Sequence, residues 1–303
     1  LIVLAEVLGK PVGDMYLGAI GPSILQTLLF LGYTAAVAII SPRKMPPLPE
    51  SARTLRGAAL AWRITKAIVP SLGLIFLVLG TIFLGLATPT EAGAMGTVGA
   101  MAMAAANRRL DARLLWQGME TTMRITAMVV FILIGATVFS LVFAGVEGGH
   151  WLEDLLRDLP GGQTGFLIFV NVFIFLLSFF LDFFEIAFII LPLLLPTAKA
   201  LDIDLVWLGV MLCVNMQTSF MHPPFGFALF YVRSVTPSSV STRDIYLGAI
   251  PFLALQLILV AIVVVWPETV TAFIGGGPVV DPGSVTIDIA PPPAVEDVPL
   301  KFD

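Results

Sequence analysis

Charge is what this sequence has least of. Only 12% of its 303 residues are Asp, Glu, Lys or Arg, while 58% are hydrophobic; an ordinary soluble domain carries about 25% charged residues. With half the usual charge there is too little polar surface to face water everywhere, so the main solvent is lipid. Cysteine is nearly absent too. The single Cys213 excludes a disulfide framework and, with only two histidines, argues against a His/Cys metal centre; it reads as a small buried apolar residue. There is no Gly-x-x-x-x-Gly-Lys-Ser/Thr loop for nucleotide hydrolysis and no Gly-x-Ser-x-Gly elbow. The arginines gather at the ends of apolar runs, so no nucleic acid is expected as a partner. The 27 glycines and 22 prolines do not signal disorder here, because membrane helices tolerate both. The chain opens inside an apolar run, without Met, n-region or cleavage site. It reads as a fragment lacking its true N-terminus.

What is present is a series of apolar runs long enough for a bilayer core, which takes roughly 20 helical residues. The fold class is therefore an all-α membrane protein, with the lipid bilayer as its surroundings. Tyr16 to Ile40 is the first span. The segment 41–66 sets Arg43, Lys44, Arg53, Arg56, Arg63 and Lys66 against Glu50 alone, which makes it cytoplasmic by the positive-inside rule. Residues 1–66 thus read as a connecting span and a cytoplasmic amphipathic arm. Residues 67–106 are apolar apart from a break at 87–91, and Arg108, Arg109, Arg113 and Arg124 follow. Basic flanks at both ends predict a helical hairpin with a polar tip. Within 107–163, residues 108–123 predict an interfacial helix, and Ile125 to Val146 a span that ends in an acidic, periplasmic loop. The stretch 164–234 is interrupted at Asp182 and Glu185, Pro192, Pro196, 199–204 and 215–224, so it predicts broken helices instead of simple spans. A final span falls within 244–268. The acidic, proline-rich tail 275–303 predicts disorder.

Three interruptions carry polar groups to membrane depth. The first is Gly85-Leu86-Ala87-Thr88-Pro89-Thr90-Glu91-Ala92-Gly93. Pro89 breaks the helix and frees carbonyls, and Thr88 and Thr90 add hydroxyls. Together these suit a hard monovalent cation, while a half-helix N-terminus attracts an anion. Glu91 adds an ionisable group where such groups are rare and usually functional. A proline kink with threonine back-bonding is the plainer alternative. Gly93, Gly96 and Gly99 then read as a ridge for close helix packing. The second interruption is Asp182 with Glu185, which fits a cation ligand, a proton relay or a helix terminus. The third runs from Asn215 through Gln217, Thr218, Ser219 and His222 to Pro223, Pro224 and Gly226. Two prolines cannot continue a helix, so carbonyls around Ser219 to His222 become available; a surface loop is the alternative. Paired breaks in two apolar stretches are the best sequence pointer to a transporter binding site.

The first motif closely resembles the G-x-A-T-P-T-E-A motif of the large membrane subunit of TRAP transporters (tripartite ATP-independent periplasmic transporters). The run from Asp182 through Pro192, Pro196, Asp202-Ile203-Asp204, Gly209 and Asn215 to Pro223-Pro224-Phe225-Gly226 is similar to that family's second block, in order and spacing. The resemblance extends to about Trp266. It implies an elevator-type ion-transporter fold with inverted repeats, helical hairpins and broken helices, of which the chain would hold the second repeat and part of the first. It implies a permease of the bacterial inner membrane, coupled to sodium rather than to any further cofactor. A small four-helix membrane subunit would be one partner, and a periplasmic binding protein delivering an organic acid anion the other. The candidate substrate and ion residues are then Thr88, Pro89, Thr90, Glu91, Asp182, Asn215, Gln217, Thr218, Ser219, His222, Pro223, Pro224 and Gly226. Sodium would lie near Thr88, Thr90, Ser219 and His222. His222 stands where many members have Thr, so a backbone carbonyl would have to serve there. An uncoupled channel or scaffold is opposed by the two polar breaks. An intramembrane aspartyl protease built on Asp182 would need two carboxylates sharing a site, and only Glu185 is near. No enzyme is expected.

Overall fold

The computed structural model describes residues 1–43, 45, 56–222, 226–237 and 240–274. Lys44, Glu50, Arg53, Pro223, Pro224 and the acidic tail lie outside the described residues. Every described element is helical. In chain order they are α1 (Ile2–Leu8), α2 (Val12–Ile40), α3 (Gly57–Phe83), α4 (Pro89–Ala106), α5 (Ala112–Gly145) and α6 (Gly148–Arg157). Then come α7 (Gly162–Leu177), α8 (Phe183–Ala200), α9 (Leu205–Met216, continued as a 3-10 turn over Gln217–Phe220), α10 (Phe227–Val235), α11 (Thr242–Val265) and α12 (Glu268–Thr271). Five of these, α2, α3, α5, α8 and α11, are long and apolar enough to cross a membrane.

The centre of the molecule is α9. All of its twelve residues except Cys213 are buried, as suits a helix that is apolar on every side. Cys213 is only half-buried, less than its sequence context suggests. Around α9 stand Leu4 and Leu8 of α1, Met15 of α2, Phe166, Val170 and Ile174 of α7, and Leu259 and Val263 of α11. Asp204 caps the helix by accepting the Trp207 N–H at 2.7 Å, and the Trp207 indole donates to the Val263 carbonyl at 2.9 Å. The helix is thereby pinned to α11 at its entry.

A second close packing joins α2 to α12. A Cβ built on Gly21 would stand 1.9 Å from the Thr269 carbonyl oxygen, a backbone atom that cannot swing away. Gly21→Ala is therefore expected to destabilise the protein by about 1–3 kcal/mol, the usual range for overpacking. A lowered unfolding temperature in detergent checks this; an unchanged one would contradict the close approach.

The segment 57–106 forms an antiparallel helix pair, with the chain turning between α3 and α4. Gly85, at φ 66°, lets the Leu86 and Ala87 N–H groups return to the Thr81 carbonyl at 2.9 and 3.3 Å. Gly96 lies under Val78 and Gly99 under Leu74, with 2.8 and 2.4 Å left for a Cβ. Gly93, in contrast, has nothing within 4 Å, so two of the three ridge glycines serve packing. Few side chains in this part are covered: none in α3, Ala92 in α4 and Ala136 in α5.

Two sequence expectations change. Residues 112–123 are not a separate interfacial helix but the opening turns of α5, which runs unbroken for 34 residues, about 51 Å at the usual rise, while 108–111 form the turn before it. No Pro or Gly pair falls between Met123 and Ile125 to stop it. The amphipathic short helix is instead α6, in the acidic segment, where Leu156 turns inward and Asp154 outward; α6 and α7 meet at a bend of 116°. The second change is at Pro192 and Pro196, which do not interrupt α8. Pro192 lies in the first turn of an α segment that follows a π stretch over Ile186–Ile190. Wider π spacing absorbs a residue that cannot donate its own hydrogen bond.

Candidate functional site

At Met216 the backbone of α9 tightens into the 3-10 turn, and the buried polar side chains gather there. Asn215 is 1% exposed; its amide nitrogen donates to the carbonyl oxygen and to the side-chain oxygen of Asn171, at 2.8 and 2.9 Å. Asn171, on α7, donates in turn to the Leu167 carbonyl and to the Met211 sulfur, at 2.8 and 3.3 Å. This leaves the Asn215 Oδ1 buried with no donor, and the Thr218 Oγ1 is in the same state. The Ser219 hydroxyl donates to the Met216 carbonyl at 2.7 Å, which leaves its lone pairs unused by that bond. A buried oxygen without a donor costs free energy, and a hard cation relieves that cost because it takes oxygen ligands.

Three glutamines brace the same break. The Gln26 amide on α2 donates to Gln217 Oε1 at 3.1 Å and to Gln256 Oε1 at 2.9 Å. Gln256, fully buried on α11, donates to the Val214 carbonyl at 2.9 Å. Backbone carbonyls in a last helical turn lack intrahelical donors, and Gln256 supplies one. Sequence reading singled out Gln217 but missed Gln26, Gln256 and Asn171. Asn171 and Gln256 are lone polar residues in apolar helices, and Gln26 follows Pro22 and Ser23 in a helix that Pro22 does not break.

His222 lies buried among aromatic rings. It stacks on Phe179 with ring centres 3.9 Å apart and meets Phe175 edge-on at 5.8 Å. Gly226 is buried at the start of α10; a Cβ there would approach the His222 carbonyl to 3.0 Å. Pro223 and Pro224 lie outside the described residues.

The other candidate residues lie at helix N-termini. Thr88 caps α4: its hydroxyl and its N–H both donate to Glu91 Oε2, at 2.9 and 2.8 Å. Its Oγ1 accepts the Glu91 N–H at 3.4 Å, and Pro89 occupies the first turn. Thr88, Thr90 and Glu91 are exposed on the chain. Asp182 caps α8 in the same way, accepting the Phe184 and Glu185 N–H groups while Glu185 returns to the Asp182 N–H. Asp182 thus stands at a helix terminus, one of the three readings open for it. Among the described residues no hydrogen bond joins Thr88–Glu91 to Asn215–Ser219, so the two polar breaks form separate groups here.

An all-helical, multi-pass protein with polar breaks inside apolar helices belongs to the class of membrane transport proteins built on interrupted helices. The comparisons make the family specific: the chain belongs to the tripartite ATP-independent periplasmic transporter family, DctM component, whose profile matches residues 1–269. That is a family of transport proteins, not of enzymes. The chain is 25% identical over 272 residues to the sialic acid TRAP transporter permease protein SiaT of Haemophilus influenzae, covering 89% of this chain and 43% of that protein. It is 28% identical to the C4-dicarboxylate TRAP transporter large permease protein DctM of Pseudomonas aeruginosa, covering 88% and 61%. To the ectoine TRAP transporter large permease protein TeaC of Halomonas elongata it is 23% identical, over 88% and 61%. The chain thus spans between about two fifths and three fifths of the length of these relatives.

Proposed function

We propose that the chain forms part of a sodium-coupled permease that carries an organic acid anion across the bacterial inner membrane. One observation carries this reading: in a member of a transporter family, α9 breaks inside an apolar interior and leaves Asn215 Oδ1 and Thr218 Oγ1 without donors. Two buried oxygens beside the freed carbonyls of a helix end suit sodium as the cargo ion. The relatives' names point to the solute class, since sialic acids, C4-dicarboxylates and ectoine all carry a carboxylate. A carboxylate would be drawn to a helix N-terminus such as that of α4, where Pro89 and Thr90 open the first turn. On this reading the fold is of the elevator type with inverted repeats. A small four-helix membrane subunit and a periplasmic binding protein complete the system.

The test is uptake into vesicles holding the complete permease with both partners. An inward sodium gradient is expected to drive accumulation of a carboxylate solute, and potassium in place of sodium to reduce it to leak. Equal uptake in both salts would support an uncoupled channel and overturn the proposal.

A further inference from the structure

Between α4 and the first half of α5 runs an open apolar groove of about 910 Å³. Its α4 wall repeats at helical spacing, with Thr97, Ala100 and Ala104, and its α5 wall presents Leu114, Gly118 and Thr122. A Cβ at Gly118 would have nothing within 4 Å, so none of the described residues closes the groove there. At one end it passes directly into a second cavity that shares Ala100, Ala104 and Leu114 and is lined by Asn107 and Arg109. The groove is therefore apolar along its length and cationic at one mouth.

The turn between the two helices and the first residues of α5 concentrate that charge. Arg108, Arg109 and Arg113 are all exposed, and among the described residues none of them forms an ion pair. The nearby acid is Asp111, whose carboxylate is engaged in capping α5 through the Leu114 N–H at 2.6 Å. Arg108 holds a left-handed backbone with φ 55°. Its N–H bonds the Ala105 carbonyl, and that of Arg109 the Ala104 carbonyl, each at 2.9 Å. Glycine is the usual occupant of that helix-ending position. An arginine there costs backbone energy, and strained residues of this kind gather at binding sites.

An apolar channel that opens on unpaired guanidinium groups matches one occupant by charge and shape: an acyl chain bearing an anionic headgroup. We infer that this groove binds an anionic membrane phospholipid, with its chain between α4 and α5 and its phosphate at Arg108, Arg109 and Arg113. Basic pockets between membrane helices hold anionic headgroups in this way. The inference does not depend on the proposed transport activity.

The test measures lipid binding to the purified complete permease by native mass spectrometry, titrating phosphatidylglycerol and phosphatidylcholine. Each basic residue near an anionic surface is worth roughly fivefold in binding. The three together should therefore favour phosphatidylglycerol by up to about a hundredfold. The variant R108Q/R109Q/R113Q is expected to lose that preference and keep its phosphatidylcholine binding. The groove-filling variant A104F/G118L should lose tight binding of both lipids while retaining its helical circular dichroism. Glycerol phosphate, a headgroup without chains, should not compete. Four results would overturn the inference: equal affinity for the two lipids, undiminished phosphatidylglycerol binding in A104F/G118L, full competition by glycerol phosphate, or a T122C thiol shielded from lipid-soluble reagents by a protein segment in the intact complex.

Discussion

Asn215→Leu is expected to abolish sodium-driven uptake. The substitution nearly keeps the side-chain volume but removes Oδ1, the buried oxygen without a donor. It also removes the amide that reaches Asn171, leaving the Asn171 carbonyl and side-chain oxygens without that donor. Losing a ligand to a charged group costs about 1.5–3 kcal/mol, a ten- to hundredfold weakening of ion binding. Thr218→Val is the cleaner companion, because it removes one buried hydroxyl that donates to nothing and keeps the shape. Transport by both variants at wild-type rates would remove the α9 break from the ion path.

The second large effect is expected at the tip of α4. Thr88→Val with Thr90→Val should stop uptake while the protein still inserts. The two residues contribute differently. Thr88 caps the helix through three contacts with Glu91, so its loss costs about 0.5–2 kcal/mol of helix stability whatever else it does. Thr90 sits exposed within the first turn and caps nothing. Thr90→Val alone therefore separates a ligand role from a capping role, and Thr88→Ser restores the cap. Loss of uptake in Thr90→Val with full activity in Thr88→Ser is the pattern expected of a binding tip. Uptake that follows only the integrity of the cap would make this terminus structural.

The two polar breaks were legible because each sets Pro beside polar side chains inside a long apolar run. The packing role of Gly96 and Gly99 was legible for a related reason, since small residues one turn apart permit close approach. What was hidden has physical causes. The unbroken α5 could not be read because its amphipathic start and apolar continuation differ in composition, not in backbone. Pro192 reads as a stop, and only the π stretch before it shows how α8 continues. Gln26 and Gln256 stand 230 residues apart, and nothing local to either predicts that their amides meet. Asn171 sits between two valines in an apolar helix and carries no signal until Asn215 is placed beside it. The capping boxes at Thr88 and Asp182 were present in the sequence as a cap followed three residues on by Glu.

The most direct measurement is the sodium activation curve of uptake for Thr218→Val, taken at a saturating carboxylate concentration. If α9 supplies the ion site, half-activation moves to at least roughly tenfold higher sodium, as expected for a lost ligand, while the maximal rate is recovered at high sodium. A curve that superimposes on the wild type would contradict the assignment of sodium to the Asn215–Thr218 break.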